Sequence, residues 1–182
     1  DIYRSRSSEG EEAAASALRT SARAVFDRAL SIREQLNNED VQNKEWAIGL
    51  TQVLTRLGDL DRESGDPANS VMRYERVLRT IARTYNTDPA DFDLTRELGW
   101  AFNKIGDLRA SEENVDAALT SYQHALCLRR GNVVRAPDRW RAQLDVSWTL
   151  WRLSQLLIET NSLTAAEPVL GEAMLIRRDG YE

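Results

Sequence analysis

One histidine and one cysteine lie close enough in the sequence to form a nucleophilic pair. His124 precedes Cys127 by three residues, so on a helix the two side chains lie on adjacent turns of one face. A cysteine activated by a neighbouring imidazole can attack a carbonyl carbon. The chain repeats itself, however, and the equivalent positions of the preceding copy carry Arg76 and Arg79, which is typical of variable helix surface. We therefore predict no catalytic residue, and a chain that is not an enzyme.

Two carboxylates, Asp59 and Asp107, occupy equivalent positions in successive copies of this repeat. Paired carboxyl groups can supply a general acid and a general base. Repetition of the same residue favours a structural role instead, such as capping or a hydrogen bond to a neighbouring helix. With one histidine, one cysteine and no GxGxxG or Walker loop, the sequence also lacks a metal-ligand spacing or phosphate cradle. We predict no cofactor and no metal.

A basic cluster with an interleaved aromatic residue surrounds residues 129–141. It consists of Arg129, Arg130, Arg135, Arg139, Trp140 and Arg141. Such a patch can bind RNA or a phosphate, which makes a regulatory subunit that contacts nucleic acid the alternative function. The competing interpretation is a solvated loop paired with Asp138 and Asp145. The net charge of −5 disfavours nucleic acid and gives no reason to expect a membrane partner.

Composition indicates an ordered, helical protein. The 182 residues are 42% hydrophobic and 29% charged, with nine glycines and four prolines, which favours an all-α class. A single cysteine excludes an internal disulfide framework and is typical of a reducing compartment. No apolar run approaches the roughly 20 residues that span a bilayer, and no leader is visible. We therefore expect a cytoplasmic location.

The sequence repeats itself at a constant interval. The segment 57–60 (LGDL) returns as 105–108 (IGDL) and, weakened, as 153–156 (LSQL). A second segment recurs at the same interval, as 26–30 (FDRAL), 74–78 (YERVL), 122–126 (YQHAL) and 170–174 (LGEAM). A fixed period of this size is typical of a solenoid built from repeated units. We call this interval, the step from 57 to 105, the repeat period.

Each unit is predicted to contain two helices, because apolar residues recur at steps of three and four. The predicted first helices are 41–63, 90–110 and 138–160, and the predicted second helices are 12–36, 67–85, 114–130 and 163–178. The array then covers 12–182, with a half repeat at 12–36 and repeats at about 41–85, 90–130 and 138–178. Residues 1–11 are predicted to be a linker or frayed end. Because the chain opens on Asp1 and closes without a polar capping helix, we expect a fragment of a larger protein.

Turn residues mark the boundaries between these helices. Asp66 is predicted to cap a helix whose first residue is Pro67, and residues 86–89 (NTDP) repeat this logic between units. Residues 135–137 (RAP) lack a capping side chain. Pro168 falls inside the last helix, which predicts either a late start with a capping box at 164–167 or a local kink.

The repeated pattern resembles the tetratricopeptide repeat (TPR). Residues 54–58 and 102–106 match its first helix, a large apolar residue followed by an apolar-glycine pair, and 150–154 match it with Ser154 in place of the glycine. Residues 22–29 and 118–125 match the alanine-aromatic-alanine spacing of its second helix. The resemblance implies a right-handed superhelical solenoid of antiparallel helix hairpins, with about seven helices. Small residues such as Gly58 are expected where paired helices approach closely.

The length of the unit narrows the resemblance. The unit has ~48 residues, whereas a usual tetratricopeptide repeat has ~34. Units of this length resemble those of the kinesin-light-chain type. The stretch 40–46 (DVQNKEW) also resembles the long repeats of large bacterial signalling proteins. In that class the repeats sense or dock a partner while a separate domain carries the chemistry. The resemblance therefore implies a non-catalytic scaffold, adaptor or sensor segment, whose partner is a protein or peptide, including another domain of its own chain.

The same resemblance implies where the partner binds, because first helices line the concave groove of such arrays. The predicted groove residues are Gln52, Thr55, Asp59, Arg62, Trp100, Asn103, Asp107, Trp148, Trp151 and Gln155. Trp148 and Trp151 are expected to form one ridge, since exposed tryptophans commonly anchor interfaces. The alternative is that both tryptophans pack on a neighbouring helix or on a missing repeat.

Overall fold

The computed structural model describes residues 2–86 and 88–180, with side chains from residue 13 onward. Over those ranges the chain is almost entirely helical and contains no strand. The helices are α1 (Ile2–Glu39), α2 (Lys44–Glu63), α3 (Pro67–Tyr85), α4 (Phe92–Ser111), α5 (Val115–Arg135), α6 (Trp140–Glu159) and α7 (Leu163–Asp179). Within the same part of the chain, no helix is both long enough and apolar enough to cross a bilayer.

Two kinds of helix alternate along the chain. The first helices α2, α4 and α6 begin one repeat period apart, and so do the second helices α3, α5 and α7. Each first helix packs on the second helix that follows it, and neighbouring units meet where α3 packs on α4 and α5 packs on α6. α1 is a helix of the second kind, and it packs on α2.

The hairpin turns repeat one backbone conformation. The left-handed residue is Gly65 (φ 78°) in the first hairpin, Glu113 (φ 58°) in the second and Asn161 (φ 57°) in the third. Glycine adopts this conformation without steric cost, whereas the glutamate at the same place does so at some cost in strain. The predicted cap is also confirmed, since the Asp66 side chain accepts the backbone N–H of Asn69.

Several helix boundaries differ from the predicted ones. Helix α1 begins at Ile2, so residues 2–11, which were predicted as a linker or frayed end, are helical in the structure; Asp1 lies outside the described residues. α4 is capped by Asp91 rather than by residues of the 86–89 turn, of which Thr87 lies outside the described residues. α5 runs on to Arg135, and Ala136 carries its C-cap.

The last two boundary predictions can also be checked. α6 is preceded by Arg139, whose side chain makes no capping hydrogen bond, as the RAP segment predicted. α7 begins at Leu163 and includes Pro168, so the late start at a capping box is wrong. Ser162 occupies the N-cap position instead, without a side-chain capping bond.

The core follows the hairpins along the array. Each cluster joins a first helix to a second helix, and the principal buried apolar members are Leu50, Leu54, Val77, Ile81, Leu94, Leu98, Tyr122, Val146, Leu150 and Ala173. Burying a leucine or valine contributes about 1.5–3 kcal/mol each. Because two of the clusters join α2 to α4 as well as to α3, this packing fixes the spacing of those first helices, and with it the surface that they form.

Candidate functional site

Two glycines let a tyrosine lie flat against each of the first two hairpins. A Cβ placed on Gly58 would lie 2.6 Å from Cε1 of Tyr74, and one on Gly106 would lie 2.5 Å from Cε1 of Tyr122. Neither distance is tolerated by real side chains. The predicted close approach at Gly58 is therefore present, and its partner is an aromatic ring of the second helix.

Each tyrosine belongs to a polar unit that joins neighbouring repeats. The Tyr74 hydroxyl donates to Asp59 Oδ1 at 2.7 Å, and the same oxygen accepts Nζ of Lys104, from the next first helix, at 2.6 Å. Burial raises the pKa of Tyr74, and the negative charge of Asp59 raises it further. The hydroxyl therefore stays protonated and keeps donating at neutral pH.

The second copy of this unit has the same arrangement. The Tyr122 hydroxyl donates to Asp107 Oδ1 at 2.9 Å, and Arg152 of the next first helix pairs with that carboxylate. Burial again raises the tyrosine pKa, followed by Asp107. Asp59 and Asp107 are thus hydrogen-bonded structural residues, as their repetition predicted. We call each set of aspartate, tyrosine and inter-repeat cation a junction triad.

The first helices together form one surface, which we call the inner face. It contains two pockets, one of about 540 Å³ between α2 and α4, and one of about 430 Å³ between α4 and α6. Lys104 lines both pockets, so the pockets adjoin. Eight predicted groove residues line them: Gln52, Thr55, Asp59 and Trp100 in the first, and Arg62, Asp107, Trp151 and Gln155 in the second.

Two other predicted groove residues lie elsewhere. Asn103 is 1% exposed, and its Nδ2 donates to Thr149 Oγ1 at 3.2 Å, because this side of α4 is covered by α6. Trp148 faces α7, where the Arg177 guanidinium stacks 4.9 Å from its ring centroid. Trp148 still meets Trp151 edge-on at 5.9 Å between ring centroids. The aromatic ridge therefore exists, but only Trp151 lines an inner-face pocket.

Charges on the inner face are only partly paired. Three cations are bound by aspartates, through the pairs Arg96–Asp145, Lys104–Asp59 and Arg152–Asp107. Arg56 and Arg62 are exposed, and neither makes an ion pair within the described residues. The guanidinium groups of these two arginines are thus available to an anionic group of another molecule.

The first pocket also holds an acidic side chain that the sequence did not single out. Glu97 lines it beside Trp100, and burial raises the pKa of its carboxyl, although Arg96 and a hydrogen bond from Gln52 lower it. Its equivalents in the other units are Gly49 and Asp145. Since these three residues differ, nothing in the repeat pattern pointed to a carboxylate in the pocket.

The predicted basic cluster does not form one exposed patch. Arg129 is 1% exposed, and its Nη1 donates to the Asp145 carbonyl at 2.5 Å and to Thr149 Oγ1 at 2.7 Å. Burial lowers its pKa to about 10, although Asp145 opposes the shift. It also lies 4.5 Å from the Trp100 ring centroid. Arg129 therefore joins α5 to α6 and cannot contact nucleic acid.

The other cluster members are exposed, but several of the arginines are already engaged. Arg130 binds Glu172 through two hydrogen bonds of 2.8 and 2.9 Å, and Arg135 donates to Asn132. Arg139 stacks on Phe92, and Trp140 is 62% exposed near the start of α6. The remaining member, Arg141, is exposed. These contacts hold three of the arginines to their own chain.

His124 and Cys127 both lie exposed on α5. The imidazole packs against the Phe102 ring with 5.1 Å between centroids, and within the described residues no hydrogen bond joins it to the thiol. Nor do the described residues contain a group of three His, Cys, Asp or Glu side chains that could hold a metal.

Comparisons with known proteins place the chain among helical repeats. No protein-family model matches it. Protein NCA1 of Arabidopsis thaliana is 31% identical over 125 residues, which is 69% of this chain and 30% of that protein. BtubC (BKLC) from P. vanneervenii, a kinesin-light-chain-like TPR protein, has a TM-score of 0.60 at 18% identity over 86% of this chain. MamA MSR-1 C2 has a TM-score of 0.47 at 15% identity over 85% of this chain.

These similarities cover only part of the related proteins, so they show the fold of this chain and not its activity or partners. This chain spans 30% of the length of the curated relative and 58% of BtubC. At 18% sequence identity, the structural similarity to BtubC concerns the fold alone. The chain therefore has an all-α solenoid fold of the TPR-like type.

Proposed function

We propose that this chain is a non-catalytic scaffold segment, which docks a protein or peptide segment along its inner face. The main support for this proposal is that eight predicted groove residues line two pockets that share Lys104. These residues come from three successive first helices. A surface continuous across repeats suits an extended polypeptide better than a compact small molecule. The bound segment can belong to another protein or to another domain of the same chain.

The side chains of the inner face suggest the chemistry of that segment. Trp151 is 36% exposed and offers an apolar anchor, while Arg56 and Arg62 have no ion pair within the described residues. An acidic residue close to an apolar one would meet both features, because charge-assisted hydrogen bonds to arginine add to the burial of the indole. A partner segment with both types of residue is the one that this surface fits best.

Matched apolar variants test this function. The native chain, Trp151→Ala and Met72→Ala would be used to capture partners from source-cell lysate, with and without nuclease, after circular dichroism confirms that each is folded. Met72 lies on α3, is 57% exposed and lines neither inner-face pocket, so it controls for nonspecific adsorption to exposed apolar side chains. We expect a protein that is retained by the native chain and by Met72→Ala, and lost with Trp151→Ala.

Two outcomes would contradict the proposal. Equal loss with both variants would indicate nonspecific adsorption to exposed apolar side chains. Retention that ignores Trp151 but disappears with nuclease would indicate a nucleic-acid partner instead. Arg62→Glu provides a second check, since reversing an exposed charge should weaken capture of an acidic segment, with an effect that diminishes as salt increases.

A further inference from the structure

The second inner-face pocket, between α4 and α6, gathers positive charge from three successive first helices. Arg62 comes from α2, Lys104 from α4 and Arg152 from α6, and all three line the pocket, whose volume is about 430 Å³. Side chains so far apart in the sequence meet here because the repeats stack on one another. Cations that converge in a concave site favour the binding of an anion.

The carboxylates of the same pocket balance this charge only in part. Asp107 is already bound, since it accepts the Tyr122 hydroxyl and pairs with Arg152. Glu159 is exposed to solvent, where its charge is screened. The lining therefore contains three cations and two carboxylates. Its net charge is positive, whereas that of the whole chain is −5.

The three cations keep hydrogen-bond donors that the fold does not use. Arg62 is exposed and makes no ion pair within the described residues. Lys104 pairs with Asp59 at 2.6 Å, and an ammonium group has three donors. The buried Nε of Arg152 also has no hydrogen-bond partner in the part of the chain that the structure describes. The donors of this pocket are thus not exhausted by contacts within the chain.

The repeat gives no structural reason for an arginine at position 62. Its equivalents in the neighbouring units are Ala14, Ala110 and Ile158. Lys104 and Arg152, by contrast, belong to the junction triads and hold neighbouring repeats together. An exposed arginine that the scaffold does not need is available for recognition, and arginine is enriched among the residues that dominate binding.

The number and placement of these donors favour a phosphate over a carboxylate. A carboxylate carries one negative charge on two oxygens, and a bidentate pair with Arg62 would use both. A phosphorylated side chain carries about −1.5 to −2 charges and three acceptor oxygens. It can therefore accept hydrogen bonds from Arg62, Lys104 and the Gln155 amide together, all of which line this pocket.

We propose that this pocket binds a phosphorylated serine or threonine of the docked segment. The phosphate lies between Arg62 and Lys104, and a neighbouring apolar side chain packs on the Trp151 indole, which lines the same pocket and is 36% exposed. This inference rests on the proposed function and makes docking conditional on phosphorylation of the partner.

The first inner-face pocket suits a phosphate less well. Arg96 is held there by Asp145 at 2.7 Å, and the Glu97 carboxyl, which would repel a dianion, lines the same pocket. Arg56 also lines it, and like Arg62 it is exposed and makes no ion pair within the described residues. Since these two arginines match in exposure and differ in pocket, Arg56 provides the control variant.

Titration with simple anions tests the pocket without any partner. The native chain, Arg62→Gln and Arg56→Gln are titrated with inorganic phosphate, sulfate and acetate at constant ionic strength. The indole N–H of Trp151 is followed by NMR, and its signal is assigned from its absence in Trp151→Phe. Both glutamine variants remove one exposed guanidinium group and add no negative charge.

We expect phosphate and sulfate to shift the Trp151 signal saturably, and acetate to bind at least about fivefold more weakly, because it has fewer charges and acceptors. Arg62→Gln should weaken phosphate binding about fivefold, which corresponds to one exposed ion pair, and Arg56→Gln should change it by less than about twofold. Equal binding of acetate, equal losses in the two variants, or no saturable shift would overturn the proposal.

Capture from source-cell lysate then tests whether the phosphate belongs to a docked segment. The lysate is treated with active or inactivated phosphatase, and phosphatase inhibitors are added before the chain. We expect the protein that is lost with Trp151→Ala to be lost also after active phosphatase and with Arg62→Gln, but to be retained by Arg56→Gln.

The failures of the two proposals are distinguishable. Capture that needs Trp151 but survives phosphatase would overturn this inference and leave the proposed function standing. If phosphate shifts the Trp151 signal but no protein is captured through Trp151, the proposed function fails. The assignment to a docked segment fails with it, because a free phosphate compound would then be the ligand of the pocket.

Discussion

The two internal junctions and the last hairpin derive from one repeated pattern, yet they differ in polar chemistry. In the second hairpin Gly106 admits the Tyr122 ring, and Asp107 binds its hydroxyl together with the cation of the next unit. The third hairpin has Ser154 and Gln155 at those positions, so the junction triad is absent there.

This difference separates two roles of the repeat. Where a following unit is described, the triad ties adjacent first helices together and fixes the spacing of the inner face. Where none is described, the same positions carry residues that make no such tie, and Trp148 and Leu144 line an open groove instead. The triads therefore act on stability and geometry, while the variable positions between them are free to determine recognition.

The largest effect should follow from crowding the glycine of a triad. Gly106→Ala forces its new Cβ against the Tyr122 ring, and should lower the free energy of unfolding by about 1–3 kcal/mol in urea denaturation. Ser154→Ala, at the equivalent place in the last hairpin, should cost less, since it removes only one hydroxyl. Equal losses of stability in Gly106→Ala and Ser154→Ala would contradict the difference between the two hairpins. Adding Tyr122→Leu to Gly106→Ala should restore part of the lost stability, because the crowded ring is then removed.

The next effect concerns the acceptor of the triad. Asp107→Ala leaves the Tyr122 hydroxyl and Arg152 without their shared partner, so we expect a loss of about 1–2 kcal/mol in the free energy of unfolding. Gln155→Ala, its counterpart, should change stability by less than about 0.5 kcal/mol. Denaturant titrations of both variants measure these losses. A larger loss of unfolding free energy for Gln155→Ala than for Asp107→Ala would contradict the structural role of the triad.

A smaller effect should be measured across the first junction. The Asp59–Lys104 pair is partly exposed, so a double-mutant cycle with Asp59→Asn and Lys104→Met should give a coupling of about 0.5–1 kcal/mol, reduced at high salt. Absence of coupling would mean that Lys104 contributes to the inner face without holding the two repeats together.

The smallest effect concerns Glu97, because its carboxyl is only partly enclosed. Burial raises its pKa, so the folded chain favours the protonated form, and the associated stability is lost as pH rises through that pKa. Glu97→Gln should therefore raise the thermal midpoint by about 1–3 °C at pH 7, and this advantage should vanish below about pH 4. If the increase in thermal midpoint instead grows as the pH falls, the pKa of Glu97 is lowered in the folded chain, contrary to this account.

The repeat period predicted most of the fold but less of the surface. Apolar steps of three and four, together with the Asp66 cap, predicted the middle helices closely, because these signals are local. Burial of Asn103 depends on Thr149, a residue of the next first helix, and periodicity within one helix does not report such a contact. Eight of ten predicted groove residues line the inner-face pockets because those positions follow from helix register.

The basic cluster shows why residue type alone misled the prediction. Arg129 was grouped with neighbouring arginines, yet the equivalent position one repeat period earlier is Ile81, which is fully buried. Ile81 indicated a core position, whereas the other two equivalents, Arg33 and Arg177, and the charge of Arg129 indicated a surface one, so the register alone did not decide. The long guanidinium reaches the Asp145 carbonyl and the Trp100 ring, which makes burial of this arginine tolerable.

Site-specific photocrosslinking tests most directly whether the inner face is the docking surface. A photoreactive amino acid at Thr55 or Gln155 would sample the two pockets, and one at Gln123, exposed on α5, would serve as the control. After irradiation in source-cell lysate, we predict that Thr55 and Gln155 crosslink to one polypeptide, with the attached peptide identified by mass spectrometry, and that Gln123 does not. Crosslinking of that polypeptide at Gln123 alone would place the partner on the outer helices and contradict the account.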